Sequence, residues 1–248
     1  HRIGQGKVCI DIGPQTIASV SVHTKKARLD LFAAQVEVKK KGIKVIQRKV
    51  NRELRALNPE AFKKDRWVKK DKRWVRKQGE VKKGVKMDVR SNNLKTNFEK
   101  LADKQRNIAK HRKDLHGQLA NEVLTLGKYV VTENISIKGF QKLYGRSIGD
   151  RAPGMFLEIL NRKAVNAGGS MEKFSTRTTK LSQACQCGSF KKKTLTERWH
   201  TCECCGTNAQ RDLYSAFLGN FVENNVLIAP QAQAAWEEMD VILRSAMS

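Results

Sequence analysis

The sequence predicts an α/β protein built on one mixed β-sheet, with a long helical insertion and a smaller cysteine-rich insertion. Short β-branched runs open the chain, and a highly charged stretch with helical periodicity follows them. Strand-like and helix-like segments then alternate to the end of the chain. Five of the six cysteines fall between Cys185 and Cys205, inside that later part. We therefore expect five segments: 1–38, 39–126, 127–179, 180–208 and 209–248.

The charge of the chain indicates a polyanionic partner. Forty-nine Lys and Arg residues against 24 Asp and Glu give a formal net charge of +25 among 248 residues. An enzyme of small metabolites does not need this excess, whereas a protein that binds nucleic acid gains affinity from each phosphate it neutralises. The alternative is a merely soluble basic surface. No apolar run reaches the roughly 18 residues of a membrane span, and no signal-peptide core is present, so we expect no membrane association.

Residues 1–38 read as a three-stranded antiparallel meander. Its strands are predicted over Lys7–Gly13, Ile17–His23 and Ala27–Val38. Asp11 interrupts an otherwise apolar first strand, and a carboxylate there needs a partner, a proton or a metal. The alternative for Asp11 is a cap for the turn that follows at Gly13. Because the chain enters this strand without an initiator Met, we expect it to be the C-terminal part of a longer protein.

Residues 39–126 are predicted to form a charged helical insertion. Asn93–Leu126 repeats apolar residues at spacings of three and four, and Ile43–Leu57 is a candidate partner helix. Between them, Lys63–Arg90 holds 13 basic residues in 28 positions. Trp67 and Trp74 interrupt this run, and we favour packing on the helices over stacking on unpaired bases.

The basic side chains of this run are candidates for contact with a nucleic-acid backbone. A solvated or disordered loop is the competing interpretation. The candidates are Lys63, Lys64, Arg66, Lys69, Lys70, Arg73, Arg76 and Lys77.

Residues 127–179 and 209–248 complete the sheet and its helices. We predict strands over Lys128–Glu133 and Ser170–Ser175, and a Gly-rich basic loop over Ile135–Asp150. The predicted helices are Ala152–Ala167, Asp212–Val222 and Gln231–Ala246.

This order of elements is that of an RNase H-like fold with insertions, which brings acids that are distant in sequence to one end of the sheet. The candidate acids are Asp11, Glu133 and Asp212. Their oxygens suit Mg²⁺ or Mn²⁺, and a pair of such cations activates water and stabilises the leaving oxygen in phosphodiester hydrolysis. Each acid has a simpler interpretation, since Asp212 could be a charge at a helix start and Glu133 a surface residue at a strand end.

The cysteine cluster predicts a zinc ribbon. Two cysteine turns, each followed by Gly, can direct four thiolates at one tetrahedral Zn²⁺. Our first choice of ligands is Cys185, Cys187, Cys202 and Cys205, with Cys204 or His200 as possible substitutes because the first turn is one residue short. A redox dithiol is the alternative, although it needs only one pair, and Cys9 reads as a buried apolar residue.

Four motifs resemble the TnpB family of RNA-guided nucleases, to which the compact type V CRISPR effectors are related. They are DIGPQTIASVS at Asp11–Ser21, ENISIKGF at Glu133–Phe140, SQACQCG at Ser182–Gly188 and CECCGTNAQRDLYSA at Cys202–Ala216. The resemblance implies a RuvC nuclease region, with catalytic acids at Asp11, Glu133 and Asp212 and a zinc ribbon that binds the target nucleic acid.

The resemblance also implies the partners of the chain. They are a guide RNA, a target DNA, and recognition and wedge domains in a missing N-terminal part, in a prokaryotic cytoplasm near the nucleoid. Arg211 is a candidate contact for the scissile phosphate. The chain departs from the family pattern at Gln210 and at Tyr214-Ser215, close to Asp212. The leading hypothesis is therefore an RNA-guided DNA endonuclease that depends on Mg²⁺, and the alternative is a guided DNA-binding effector that silences by occupancy.

Overall fold

The computed structural model describes residues 2–33, 35–194 and 196–247, without the side chains of residues 37–41 and 146. Its strands are β1 (Lys7–Ile12), β2 (Thr16–Ser21), β3 (Lys26–Leu31), β4 (Arg66–Lys70), β5 (Arg73–Lys77), β6 (Tyr129–Glu133), β7 (Ser170–Phe174), β8 (Trp199–Thr201), β9 (Asn208–Gln210), β10 (Val222–Glu223) and β11 (Val226–Leu227). Its α-helices are α1 (Gln35–Leu57), α2 (Asn92–Leu126), α3 (Ile137–Tyr144), α4 (Arg146–Arg151), α5 (Pro153–Asn166), α6 (Thr176–Thr179), α7 (Arg211–Gly219) and α8 (Ala229–Ser245).

Five strands form the central mixed sheet in the order β3-β2-β1-β6-β7. The first three are antiparallel neighbours, whereas β6 runs parallel to both β1 and β7. The predicted meander and mixed α/β class are confirmed. The third strand, however, ends at Leu31 and not at Val38, because Val36, Ile43 and Val50 repeat every seven residues and are buried along α1. Ala34 and the side chain of Val38 lie outside the described residues.

Both faces of the sheet are covered, which explains the nearly continuous apolar pattern of β1. Val8, Ile10 and Ile12 belong to a core that includes residues of α5 and the end of α2. Cys9 points to the opposite face, into a core built with α7 and α8. Its thiol is buried, as the sequence predicts. The two-residue period of the strand therefore decides which side chains meet α7.

The chain forms two compact units, one of residues 1–34 and 112–248 and the other of residues 35–111. The smaller unit contains α1, the β4–β5 hairpin and the first part of α2. Within it, Glu53 accepts hydrogen bonds from the side-chain amides of Asn93 at 2.8 Å and Asn97 at 3.1 Å. The pairing of the two predicted helices is thereby confirmed, while the five-segment domain division stays a prediction.

The predicted loop over Ile135–Asp150 is wrong, since the structure has α3 and α4 there. The hydroxyl of Ser136 caps α3 by accepting a hydrogen bond from the Gly139 N–H at 3.2 Å. Ile137 and Phe140 have helical spacing, but the glycines around them hide that pattern in the sequence. No described helix is long and apolar enough to cross a membrane.

Candidate metal centres

Strand register places Asp11 beside Glu133. In the parallel pair β1–β6, Ile10 lies opposite Thr132, so the next residue of each strand is one of these two acids. Neighbouring strands are about 4.8 Å apart, and residues in register project from the same face of the sheet. The first two predicted acids therefore meet at the carboxyl ends of two central strands.

The start of α7 brings Asp212 to the same region. The helix packs on β1 and β2, and the Asp212 side chain is buried. The Thr16 hydroxyl donates a hydrogen bond to its Oδ2 at 3.3 Å. Gln210 caps α7 by accepting a hydrogen bond from the Leu213 N–H at 2.7 Å, which fixes where the helix begins. We refer to Asp11, Glu133 and Asp212 as the carboxylate cluster.

The electrostatics of the carboxylate cluster suit a cation. Burial raises the pKa of Asp11 well above its ordinary value, and the negative charges of Glu133 and Asp212 raise it further, while Arg211 opposes them. Burial also raises the pKa of Glu133. A bound divalent cation would reverse these shifts by compensating the buried negative charge. Hard carboxylate oxygens in this number are a donor set that fits Mg²⁺ or Mn²⁺.

The ligand oxygens of the carboxylate cluster do not all lie within 4.8 Å of one another. Among the described residues, only the four cysteines meet as a group whose ligand atoms all lie within 4.8 Å of one another. Two cations about 4 Å apart need their carboxylates spread over a wider area than one ion does.

Two guanidinium groups lie against Asp212. Arg211 Nε is 3.4 Å from Oδ1, and Arg198 Nη1 is 3.9 Å from Oδ2. Arg211 also donates to the backbone carbonyl of Glu197 at 2.7 Å, and its side chain is only 14% exposed. Arg211, the predicted phosphate contact, is therefore already bound to Asp212 and to the Glu197 carbonyl.

A cavity of about 650 Å³ opens onto Asp11 and Glu133. Its lining includes residues that the sequence analysis missed, among them Phe140 on α3 and Ser175 and Arg177 after β7. The sequence signal for the last two is the end of the predicted strand Ser170–Ser175, and in the structure Phe174 pairs with Glu133. Residues that follow a parallel strand emerge at the same edge as its neighbours, so Arg177 supplies a cationic side chain at this opening.

The four predicted zinc ligands form a second group, which we call the thiol cluster. The Sγ atoms of Cys185 and Cys205 are 3.5 Å apart, and those of Cys187 and Cys202 are 3.6 Å apart. A tetrahedral zinc with bonds of about 2.3 Å to sulfur separates its thiolates by about 3.8 Å. All four are free thiols, and their distances exceed the roughly 2 Å of a disulfide bond. The geometry therefore fits a structural Zn²⁺.

The short first turn is accommodated without loss of the cluster. The Cys185 N–H donates to the Ser189 carbonyl at 2.9 Å, and the Cys202 N–H donates to the Thr207 carbonyl at the same distance. Each loop closes through a glycine of positive φ, namely Gly188 and Gly206. The first loop is one residue shorter, but the two close in the same manner.

Neither proposed substitute ligand belongs to the thiol cluster. Cys204 is exposed, and His200 is buried with its ring 4.3 Å from that of Tyr214. Although burial opposes it, the Ser189 hydroxyl and neighbouring backbone N–H groups lower the pKa of Cys202 to about 6. Burial raises the pKa of Cys185 to about 12. Zinc would have to displace the proton of that thiol.

One known protein family is similar to the part of the chain that contains the thiol cluster. Residues 154–218 match the family described as Cas12f1-like, TNB domain. This stretch of the chain is similar to that domain family. The predicted resemblance to the TnpB-like and compact type V effectors is thereby confirmed. The match contains the thiol cluster and Asp212, but not Asp11 or Glu133.

Among solved structures, the chain is similar to one titled "Structure of the mini-RNA-guided endonuclease CRISPR-Cas_phi3", with 11% sequence identity and a TM-score of 0.45. The alignment covers 92% of this chain and 44% of that one, so the chain spans less than half the length of that protein. Comparison with curated proteins gave no match.

Inside the matched residues 154–218, the departures near Asp212 have structural roles. Tyr214 is buried, and its hydroxyl accepts a hydrogen bond from the Gln186 N–H at 3.0 Å and lies 3.3 Å from Cys185 Sγ. Gln186 in turn donates to the Thr207 hydroxyl at 2.6 Å, which connects the two cysteine turns. Tyr214 therefore links α7 to the thiol cluster while leaving Asp212 in place.

Outside the matched residues 154–218, the basic run forms the β4–β5 hairpin. The predicted packing of its tryptophans is wrong, because Trp67 is 65% exposed and Trp74 is 66% exposed. Two-residue alternation in this short hairpin leaves both faces without a covering layer. All the candidate basic residues from Arg66 to Lys77 are exposed, and Lys63 and Lys64 precede the hairpin.

Proposed function

We propose that this chain is the nuclease region of an RNA-guided DNA endonuclease effector, built on an RNase H-like (RuvC) sheet. One observation carries the proposal. Asp11 and Glu133, at the ends of the neighbouring strands β1 and β6, lie close to Asp212 at the start of α7, which packs on β1. The positive charge of the chain and its similarity to the Cas12f1-like TNB domain support nucleic acid as the substrate class.

The carboxylate cluster would hold two Mg²⁺ or Mn²⁺ ions, which supply an activated water and charge stabilisation at the leaving oxygen. Thr16 holds the orientation of Asp212 through its hydroxyl. Arg211 lies on the same carboxylate and is our candidate for contact with the scissile phosphate. The cavity beside Asp11 and Glu133 has room for a backbone segment.

The thiol cluster would hold one structural Zn²⁺ and so keep the ribbon folded for target binding. We propose guide RNA and target DNA as partners, with recognition and wedge domains in the full-length protein. Base pairing would then select the sequence, while this region binds and cuts the backbone. Such an effector would act in a prokaryotic cytoplasm, close to the nucleoid.

Removal of Asp11 tests the nuclease proposal. In full-length protein loaded with guide RNA and Mg²⁺, we expect Asp11→Ala to lower target cleavage by about a thousandfold, because it removes a ligand that orients both ions. Guided binding to the target should be retained, as measured by gel shift. Cleavage by Asp11→Ala at the rate of the unaltered protein would refute the assignment.

A second candidate function is silencing by occupancy, in which the effector binds DNA and does not cut it. The observation that favours it is the position of Arg198 and Arg211 against Asp212, where two positive charges already compensate the carboxylate. Tight guided binding with no nicked product after prolonged incubation in Mg²⁺ or Mn²⁺ would decide for this candidate.

A further inference from the structure

The β4–β5 hairpin has two different faces. Cross-strand pairing places Trp67 opposite Arg76, and Trp74 opposite Lys69. These four side chains share one face, because residues in register project to the same side of a sheet. The other face carries the Val68–Val75 pair with basic residues on either side.

The two tryptophans stand on a rigid support. The turn residues Asp71 and Lys72 both have positive φ, which is the geometry of a tight two-residue type I′ hairpin. At the base of the hairpin, Asp65 accepts hydrogen bonds from the Gly79 N–H at 2.8 Å and from Arg76 Nε at 2.9 Å. Arg55 of α1 donates to the Gly79 carbonyl at 2.8 Å. The base is therefore tied to the helix while the strands project from it.

Gly79 allows the two chain segments at the base of the hairpin to lie close together. A Cβ added there would collide with the backbone carbonyl of Lys63. Among the described residues, neither indole of the hairpin takes part in a ring contact or a hydrogen bond. Two exposed tryptophans on an anchored hairpin indicate a surface that binds a ligand.

We propose that the Trp67–Trp74 face is a stacking platform for the unpaired bases of a nucleic-acid strand, with Lys69 and Arg76 contacting its phosphates. Seven of the 12 residues of Arg66–Lys77 are Lys or Arg and one is Asp, so the charge complements a polyanion. A second copy of the hairpin would bring the same positive charges together and is disfavoured. Diagonal partners in a hairpin lie about 7–8 Å apart, close to two stacking distances of about 3.4 Å.

The choice of unpaired bases rests on the proposed function. A guided effector that opens a duplex exposes a displaced DNA strand, and its guide RNA has unpaired segments. Both present free base faces, which a duplex hides inside its stack. Indole rings stack on every base, so the platform would bind without reading sequence.

The test compares two probes of equal length and charge, an oligo-dT strand and the same strand with its bases removed. Binding is measured on the full chain with zinc and without Mg²⁺ or Mn²⁺, so that cleavage plays no part in the result. We expect the unaltered protein to bind oligo-dT about tenfold more tightly than the abasic strand. In Trp67→Thr/Trp74→Thr this preference should disappear, while the salt dependence of binding stays the same.

Threonine keeps the β-branched preference for a strand, so the hairpin should survive these changes. Val68→Thr/Val75→Thr on the opposite face is the matched control and should keep the preference for bases. Lys69→Gln, which leaves the contact between Arg76 and Asp65 intact, should instead make the salt dependence shallower for both probes.

The stacking proposal is refuted if the unaltered protein binds both probes equally. It is also refuted if the preference for bases survives the tryptophan changes. Oligo-U in place of oligo-dT distinguishes an RNA strand from a DNA strand by which binds more tightly. Loss of nuclease activity in Asp11→Ala has no bearing on this result, so the two proposals fail separately.

Discussion

The carboxylate cluster and the thiol cluster are assembled in opposite ways. The cysteines lie within 21 residues of chain, from Cys185 to Cys205, and local loops bring their sulfurs together. The carboxylates come from β1, β6 and the start of α7, and they meet only when the whole sheet is formed. One site is a product of local chain geometry, and the other is a product of the fold.

The two clusters also differ in how their residues affect the stability of the folded protein. A thiol can stay neutral until zinc displaces its proton, and burial keeps Cys185 protonated by raising its pKa to about 12. The carboxylates repel one another, and burial raises the pKa of Asp11 and of Glu133. Removal of a ligand should therefore destabilise the protein at the zinc-bound thiol cluster. At the carboxylate cluster it should stabilise the protein when no Mg²⁺ or Mn²⁺ is bound.

The largest effect is expected at the thiol cluster. Cys185→Ser removes one of four soft ligands, so zinc should fall from about one equivalent to nearly none by elemental analysis. The free energy of unfolding should fall by several kcal/mol, because zinc binding contributes to folding. Cys204→Ser changes an exposed thiol outside the cluster and should alter neither quantity. Full zinc content in Cys185→Ser would show that the tetrahedral assignment is wrong.

Removal of a ligand from the carboxylate cluster should instead raise the free energy of unfolding. Asp11→Asn keeps the size of the side chain and removes a buried charge, so we expect a gain of about 1–2 kcal/mol in unfolding free energy at pH 7 without Mg²⁺. The folded-state pKa of Asp11 is raised, so the carboxyl contributes most to stability below its unfolded pKa of about 3.9. That contribution is lost as the pH rises, and the gain from Asp11→Asn should vanish near pH 4.

Urea denaturation at several pH values, with zinc present throughout, measures this difference. Added Mg²⁺ should narrow the gap between the two proteins, because the cation stabilises only the unaltered site. Asp88→Asn changes an exposed acid and serves as the control, with an expected effect below about 0.5 kcal/mol. A loss of stability in Asp11→Asn at pH 7 would show that ligand removal does not have opposite effects at the two clusters.

The sequence predicts the meander, the long helix and the zinc-ligand set because each follows a local pattern. Apolar spacing of three and four marks α2, and paired Cys-Gly turns mark the ribbon. The strand predicted for Val36 is wrong because its buried partners on α1 lie seven and fourteen residues further along the chain, beyond the length of a strand. Glycines likewise concealed α3.

What could not be predicted depends on contacts between distant segments. The sequence of the basic run does not predict that Trp67 and Trp74 share one exposed face. Their shared face depends on the type I′ turn and on the register of the hairpin. Arg198 approaches Asp212 only because β8 pairs with β9 directly before α7. These are consequences of register and packing, which a single sequence does not specify.

A third effect is expected where the two clusters are joined. Tyr214 stands two residues after Asp212 on α7, and its hydroxyl binds the backbone of Gln186 between the first two cysteines. Tyr214→Phe leaves that buried N–H without its partner, so we expect a loss of about 1–3 kcal/mol in unfolding free energy. Zinc content should stay near one equivalent, because all four thiols remain, while transfer of zinc to a chelator should be faster.

Tyr144→Phe, which removes the hydroxyl of a tyrosine at the end of α3, is the control and should leave both the unfolding free energy and the zinc transfer rate unchanged. If Tyr214→Phe also leaves the zinc transfer rate unchanged, the hydroxyl does not couple α7 to the ribbon, and the two clusters are independent sites that happen to share a helix.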